Sequence, residues 1–248
     1  MESSNPVFGN APTLKAPTPS VGELEEIYRT PQRLTMDDVV IKTGLLLSVV
    51  LVAGGLTWAA DLGFGVVAIA GLVGFALAMV NTFKKQVSPG LVLAYAACEG
   101  VFLGGISKVY ETAYNGIVVQ AAIGTSALFL GVLWAYKSGR LRATPKFTKM
   151  VVGAGFGVLG LMVVNLLASV IGGGDGLGLR SGGGIAILFS LACIGIASLF
   201  FVLDFDQAER LVAAGVPERE SWRVAFGLLV TLVWLYLEVL RLLSYLRD

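Results

Sequence analysis

The chain has 248 residues, 56% of them hydrophobic and 14% charged, with a net charge of +1. At a mean hydropathy of +0.80 it has too little polar surface to clothe a water-soluble globule, for which about 25% charged residues are usual. That leaves an all-α polytopic membrane protein. No basic face alternates with exposed aromatics, which excludes nucleic acid as a partner, and histidine is absent, so any response to pH falls to carboxylates.

The chain opens on Met1-Glu2-Ser3-Ser4, which lacks the basic start and apolar stretch of a cleaved signal peptide. Residues 1–34 hold five of the eight prolines and are expected to form a disordered cytoplasmic tail. Thr35-Met36-Asp37-Asp38 has the spacing of a capping box and marks the start of the first helix. Apolar windows follow at 39–60, 63–83, 91–110, 117–136, 150–171, 185–205 and 223–246, each near the roughly 20 residues needed to span hydrocarbon. Seven crossings make residues 35–248 one membrane domain. Placing the N-terminus in the cytoplasm puts fourteen of the eighteen Lys and Arg on that side and leaves Lys108, Arg180, Arg241 and Arg247 on the other. The positive-inside rule favours that orientation.

Within the spans, Gly100 with Gly104 and Gly153 with Gly157 leave smooth faces where helix backbones can approach closely. Cys98 and Cys193 stand apart in apolar runs, without the paired spacing of a metal or redox site, and read as packing residues. The glycine-rich stretch 172–184 joins the fifth and sixth helices as a floppy linker. It lacks the Gly-Lys-Ser/Thr of a phosphate loop. Gly172-x-Gly174-Asp175 matches the short pattern of intramembrane aspartyl proteases, but in a loop rather than in a helix facing a second aspartate.

Three carboxylates sit in apolar segments, where each needs a partner, a watery cavity or a mobile proton. Glu99 lies near the middle of the third window, Asp204 at the end of the sixth, and Glu238 inside the seventh. Asp206 points about 200° away from Asp204 on a helix and has Arg210 one turn later, which reads as an i,i+4 pair. Asp204 has no basic residue at its own i+3 or i+4. For Glu238 two readings stand open: Arg241 at i+3 neutralises it within the helix, or it forms a titratable site in the bundle interior. Two carboxylates sharing a site can hold one proton or a cation between them, and carboxylate oxygens are the hard ligands calcium prefers.

At these residues the chain resembles the transmembrane Bax inhibitor motif family, which includes bacterial YccA-like proteins. Leu203-Asp204-Phe205-Asp206-Gln207 looks like the family's aspartate-bearing end of the sixth helix, and Leu235-Tyr236-Leu237-Glu238-Val239-Leu240 like its acidic seventh-helix segment. Glu99-Gly100 is similar to an acidic-glycine step in the third helix, and Thr35 to Val40 with the Pro-rich tail looks like an actinobacterial-type branch. The resemblance implies a seven-helix bundle with the seventh helix central. It also implies a pH-sensitive calcium leak gated by an acidic pair, here Asp204 and Glu238, which would also be the calcium ligands. A basic residue of the family's second helix falls on Lys84 or Lys85. In this chain a glutamate stands where the family's pair has aspartate, with Arg241 beside it. If the last turn is at Gly215 to Pro217, straight helices leave Asp204 and Glu238 at depths differing by about 15 Å. Contact survives if Pro217 to Trp222 lies along the membrane surface and the last span begins near Arg223.

The expected function is therefore a pH-controlled cation leak, calcium foremost, in a bacterial plasma membrane, with no catalytic activity and no cofactor beyond calcium as permeant or bound ion. Glu99, Asp204 and Glu238 line or gate it. The rival is a non-conducting regulator that binds other membrane proteins, such as a quality-control protease, through residues 1–34 and the basic loops. An intramembrane protease comes third and needs a second facing aspartate.

Overall fold

The computed structural model describes residues 20, 32–172, 174 and 176–247. It divides into Met1–Gln32, of which only Ser20 and Gln32 are described, and a membrane unit, Arg33–Asp248. The membrane unit contains seven helices: α1 (Met36–Ala60), α2 (Phe64–Phe83), α3 (Pro89–Ala113), α4 (Ile117–Lys137), α5 (Pro145–Gly172), α6 (Gly183–Ala213) and α7 (Ser221–Tyr245). All seven are long and apolar enough to cross a bilayer, so the chain is a multi-pass membrane protein. Successive helices run in opposite directions and give the bundle two faces. We call the one where α1 begins the N-terminal face and the other the far face.

Local chemistry sets the helix ends. The capping box forms as expected: Thr35 N–H donates to Asp38 Oδ2 at 2.9 Å, and Asp38 N–H donates to Thr35 Oγ1 at 3.2 Å. Proline opens α3 and α5 at Pro89 and Pro145, where its missing N–H costs nothing. The helix α6 continues past the apolar window to Ala213 and stops at Gly215, whose φ of +63° suits the left-handed turn after a helix. A 3-10 turn at Glu218–Glu220 then leads straight into α7. The incoming chain is fastened to this corner, since Leu34 N–H donates to Val216 O at 2.9 Å and Leu34 is buried.

The seventh helix is central, packed against α1, α3, α4 and α6. Half of its spanning window is buried, against 17% for α2, α4 and α5. Around it the core divides into two large clusters and a small one of Val158, Phe189 and Cys193 between α5 and α6. Phe201, Phe205, Leu228 and Leu235 pack with Phe129 on the α4–α6 side, while Leu46, Tyr95, Phe226 and Leu229 pack on the α1–α3 side.

Glycine spacing had two different outcomes. At Gly100 a methyl would stand 2.6 Å from Val50 O, and at Gly104 it would fall on Gly54 O, so the α1–α3 crossing requires both glycines. Gly153 and Gly157 have nothing within 4 Å of that position. They do not serve a close helix contact, because their side of α5 faces outward.

The α5–α6 connection also departs from expectation. Its described residues are tied down: Leu177 N–H donates to Asn165 Oδ1 at 2.9 Å, Ser169 Oγ to Gly174 O at 2.6 Å, and Tyr245 Oη to Arg180 O at 3.1 Å. Composition foretold flexibility, but the polar side chains of α5 and α7 supply anchors. Asp175, and with it the protease-like pattern, lies outside the described residues, as do nearly all residues of the tail.

Candidate functional site

The seam between α6 and α7 carries two of the three intramembrane carboxylates, in contrasting surroundings. Asp204, partly buried on α6, faces α7 where Gly227 and Thr231 share one side of the helix. Thr231 Oγ1 donates to Asp204 Oδ2 at 2.7 Å and also lies 3.2 Å from Gly227 O. A methyl on Gly227 would stand 3.7 Å from Asp204 Oδ1, an ordinary contact that places the carboxylate against this side of α7. Among the described residues no cationic side chain pairs with Asp204.

A hydroxyl has one proton to give, and that defines two arrangements. With Asp204 ionised, Thr231 donates to it. With Asp204 protonated, Asp204 donates to Thr231 and the threonine proton turns to Gly227 O. The same three groups are satisfied either way, which is what a group that gains and loses a proton inside a membrane requires.

Glu238 is buried, and cations surround it. Arg180 Nη2 donates to Oε1 at 2.9 Å and Arg241 Nη1 donates to the same oxygen at 3.0 Å. Arg241 is the local partner that i,i+3 spacing offered. Arg180 was not foreseen, since it comes from the α5–α6 connection and its guanidinium also lies over the Phe189 ring, 5.5 Å from its centroid. The only hint in the sequence was a lone arginine among glycines on the same side as the end of α7.

The two acids therefore do not form a hydrogen-bonded pair. Thr231, the partner of Asp204, precedes Glu238 by seven residues, two turns or about 10 Å along α7. The last span begins at Ser221, close to the start that contact needed, but the acids still miss each other because α6 meets α7 at Thr231. A calcium ion shared by Asp204 and Glu238 is excluded on the same ground, as its ligands must converge at about 2.3–2.6 Å. No cluster of three or more acidic or cysteine residues able to hold a metal occurs among the described residues.

The other candidates occupy separate places. Glu99 on α3 has Tyr95 one turn before it and packs against α2, its Oε1 lying 3.2 Å from where a methyl on Gly74 would be. Asp206 pairs with Arg210 at 2.6 Å, as its spacing foretold. Lys84 and Lys85 extend exposed side chains at the N-terminal face and offer only their carbonyls inward, Arg223 Nη2 donating to Lys85 O at 2.8 Å.

Comparison with known proteins agrees with this architecture. A family model described as Bax inhibitor 1 like matches residues 5–248. An uncharacterized protein of Chlamydia muridarum (strain MoPn / Nigg) is 30% identical over 89 residues, 36% of this chain and 36% of that protein. The match thus spans just over a third of the relative's length.

Proposed function

The chain belongs to the Bax inhibitor 1 like family, and on that premise we propose that it is a slow, pH-sensitive cation leak, calcium foremost, with Asp204 as its proton-responsive group. The observation that carries this reading is that Asp204, inside a membrane-spanning helix pair, has a threonine hydroxyl and, among the described residues, no cation for a partner. An ionised carboxylate so placed is costly, and proton uptake relieves the cost. Ionised, it offers calcium a hard oxygen.

In this reading Asp204 and Glu238 act at separate levels of the α6–α7 seam rather than as a bonded pair. The cluster of Glu238, Arg180 and Arg241 holds the far end of α7 to the α5–α6 connection. Glu99 is a further carboxylate, set between α2 and α3. The membrane is a bacterial plasma membrane with the N-terminal face in the cytoplasm, a placement that rests on the distribution of Lys and Arg. No bond is made or broken, so none of these groups is catalytic.

The test is calcium flux into proteoliposomes over a pH series. Wild-type flux should change with pH, and Asp204→Asn should flatten that dependence. Equal pH responses would remove Asp204 as the sensor, and flux no greater than in empty liposomes would remove the leak itself.

A further inference from the structure

A cavity of about 630 Å³ lies between α1, α3, α4 and α7, away from the carboxylates. The helices α3 and α7 form its floor, and α1 and α4 face each other across it without forming a packed pair. Its rims are open to the surroundings, with Leu51 73% and Leu130 60% exposed. It therefore continues the lipid-facing surface of the bundle inward through a lateral slot.

Along α1 it runs from Leu47 to Trp58, eleven residues or about 16 Å. That is close to half of the roughly 30 Å hydrocarbon core, the depth of one leaflet. Polarity is graded along this length. The half nearer the far face has Ser107, Tyr236, Thr125 and Ser126, while the deeper half is lined by Leu47, Val50, Leu229 and their apolar neighbours. Ser107 and Tyr236 bond each other at 2.7 Å. Thr125 is buried, and its hydroxyl has no hydrogen-bond partner among the described residues.

These features select the occupant. Water would find few partners in so apolar a space. The space opens sideways to the hydrocarbon layer over a length of about 16 Å, which suits one extended lipid tail. We propose that the slot between α1 and α4 is a binding site for one acyl chain of a phospholipid from the leaflet at the far face, its ester end toward Thr125 and Ser126 and its methyl end at Leu47. This site does not depend on cation flux.

The test reconstitutes the full chain in phosphatidylethanolamine–phosphatidylglycerol vesicles, extracts it into mild detergent and counts retained lipid by native mass spectrometry. One phospholipid per chain is expected. It should be lost in Ala122→Trp, which fills the slot, and kept in Leu167→Trp, which places the same bulk on the exposed side of α5. Equal retention in the two variants, or retention of a free fatty acid instead of a phospholipid, overturns the proposal. Should Ala122→Trp fail to fold, a phospholipid with a diazirine on its acyl chain decides the matter on the unaltered protein. Adducts concentrated on 47–58 and 118–130 support the site, and adducts spread evenly over α1, α2 and α5 refute it.

Discussion

The α6–α7 seam solves the same problem twice in different ways. At its far end Glu238 meets two guanidiniums, so the charge is compensated and fixed. Two turns deeper, Asp204 meets a hydroxyl and a glycine, which accommodate a charged or a neutral carboxyl alike. Residue type alone does not separate a structural acid from a responsive one. The number of cations brought to it does.

The largest way to break this comparison is Glu238→Ala. It leaves Arg180 and Arg241 facing each other without their shared anion, and loss of one side of a buried ion pair costs about 3–5 kcal/mol. Thermal unfolding in detergent should show it, and a loss no larger than that of Asp204→Ala would erase the distinction. Replacing the whole cluster, Arg180→Met with Glu238→Leu and Arg241→Leu, should recover most of the stability, because apolar groups of similar volume often match such a cluster.

Next in size is Arg180→Ala. Arg241 still reaches Glu238, so the expected loss is that of a charged hydrogen bond, about 1.5–3 kcal/mol, together with faster proteolysis of the α5–α6 connection. If that connection stays equally protected, Arg180 is not what ties it to α7.

Asp204→Asn sharpens the comparison from the other side. The amide oxygen still accepts from Thr231, so stability should change by less than about 1 kcal/mol while the pH response of the flux disappears. A large stability loss would make Asp204 structural like Glu238. The smallest effect belongs to Arg210→Ala, whose ion pair with Asp206 lies at the rim with the arginine 68% exposed. It should cost under about 0.5 kcal/mol, and a change in the flux at that position would widen the responsive site to the rim.

Much of the site was legible where the signal was local. The Arg241 and Arg210 pairings follow from one helical turn, and the capping box of Thr35 and Asp38 from three residues. Thr231 gave no signal, because a threonine in an apolar helix looks the same whether it bonds its own backbone or an acid on a neighbouring helix. The two glycine pairs make the same point. Gly100 with Gly104 and Gly153 with Gly157 share one spacing, yet only the first meets another backbone, since spacing tells which residues share a face and not what covers it.

The sequence by itself determined the seven spans and the presence of three acids that lipid cannot solvate, because segment length and apolar content act over a few turns of one helix. Tertiary structure alone decided that α6 meets α7 at Thr231 instead of Glu238, that Arg180 reaches across 58 residues to Glu238, and that α1 and α4 stand apart around a slot. Depth and neighbourhood in a bundle come from how whole helices pack against one another, and no short stretch of chain encodes them.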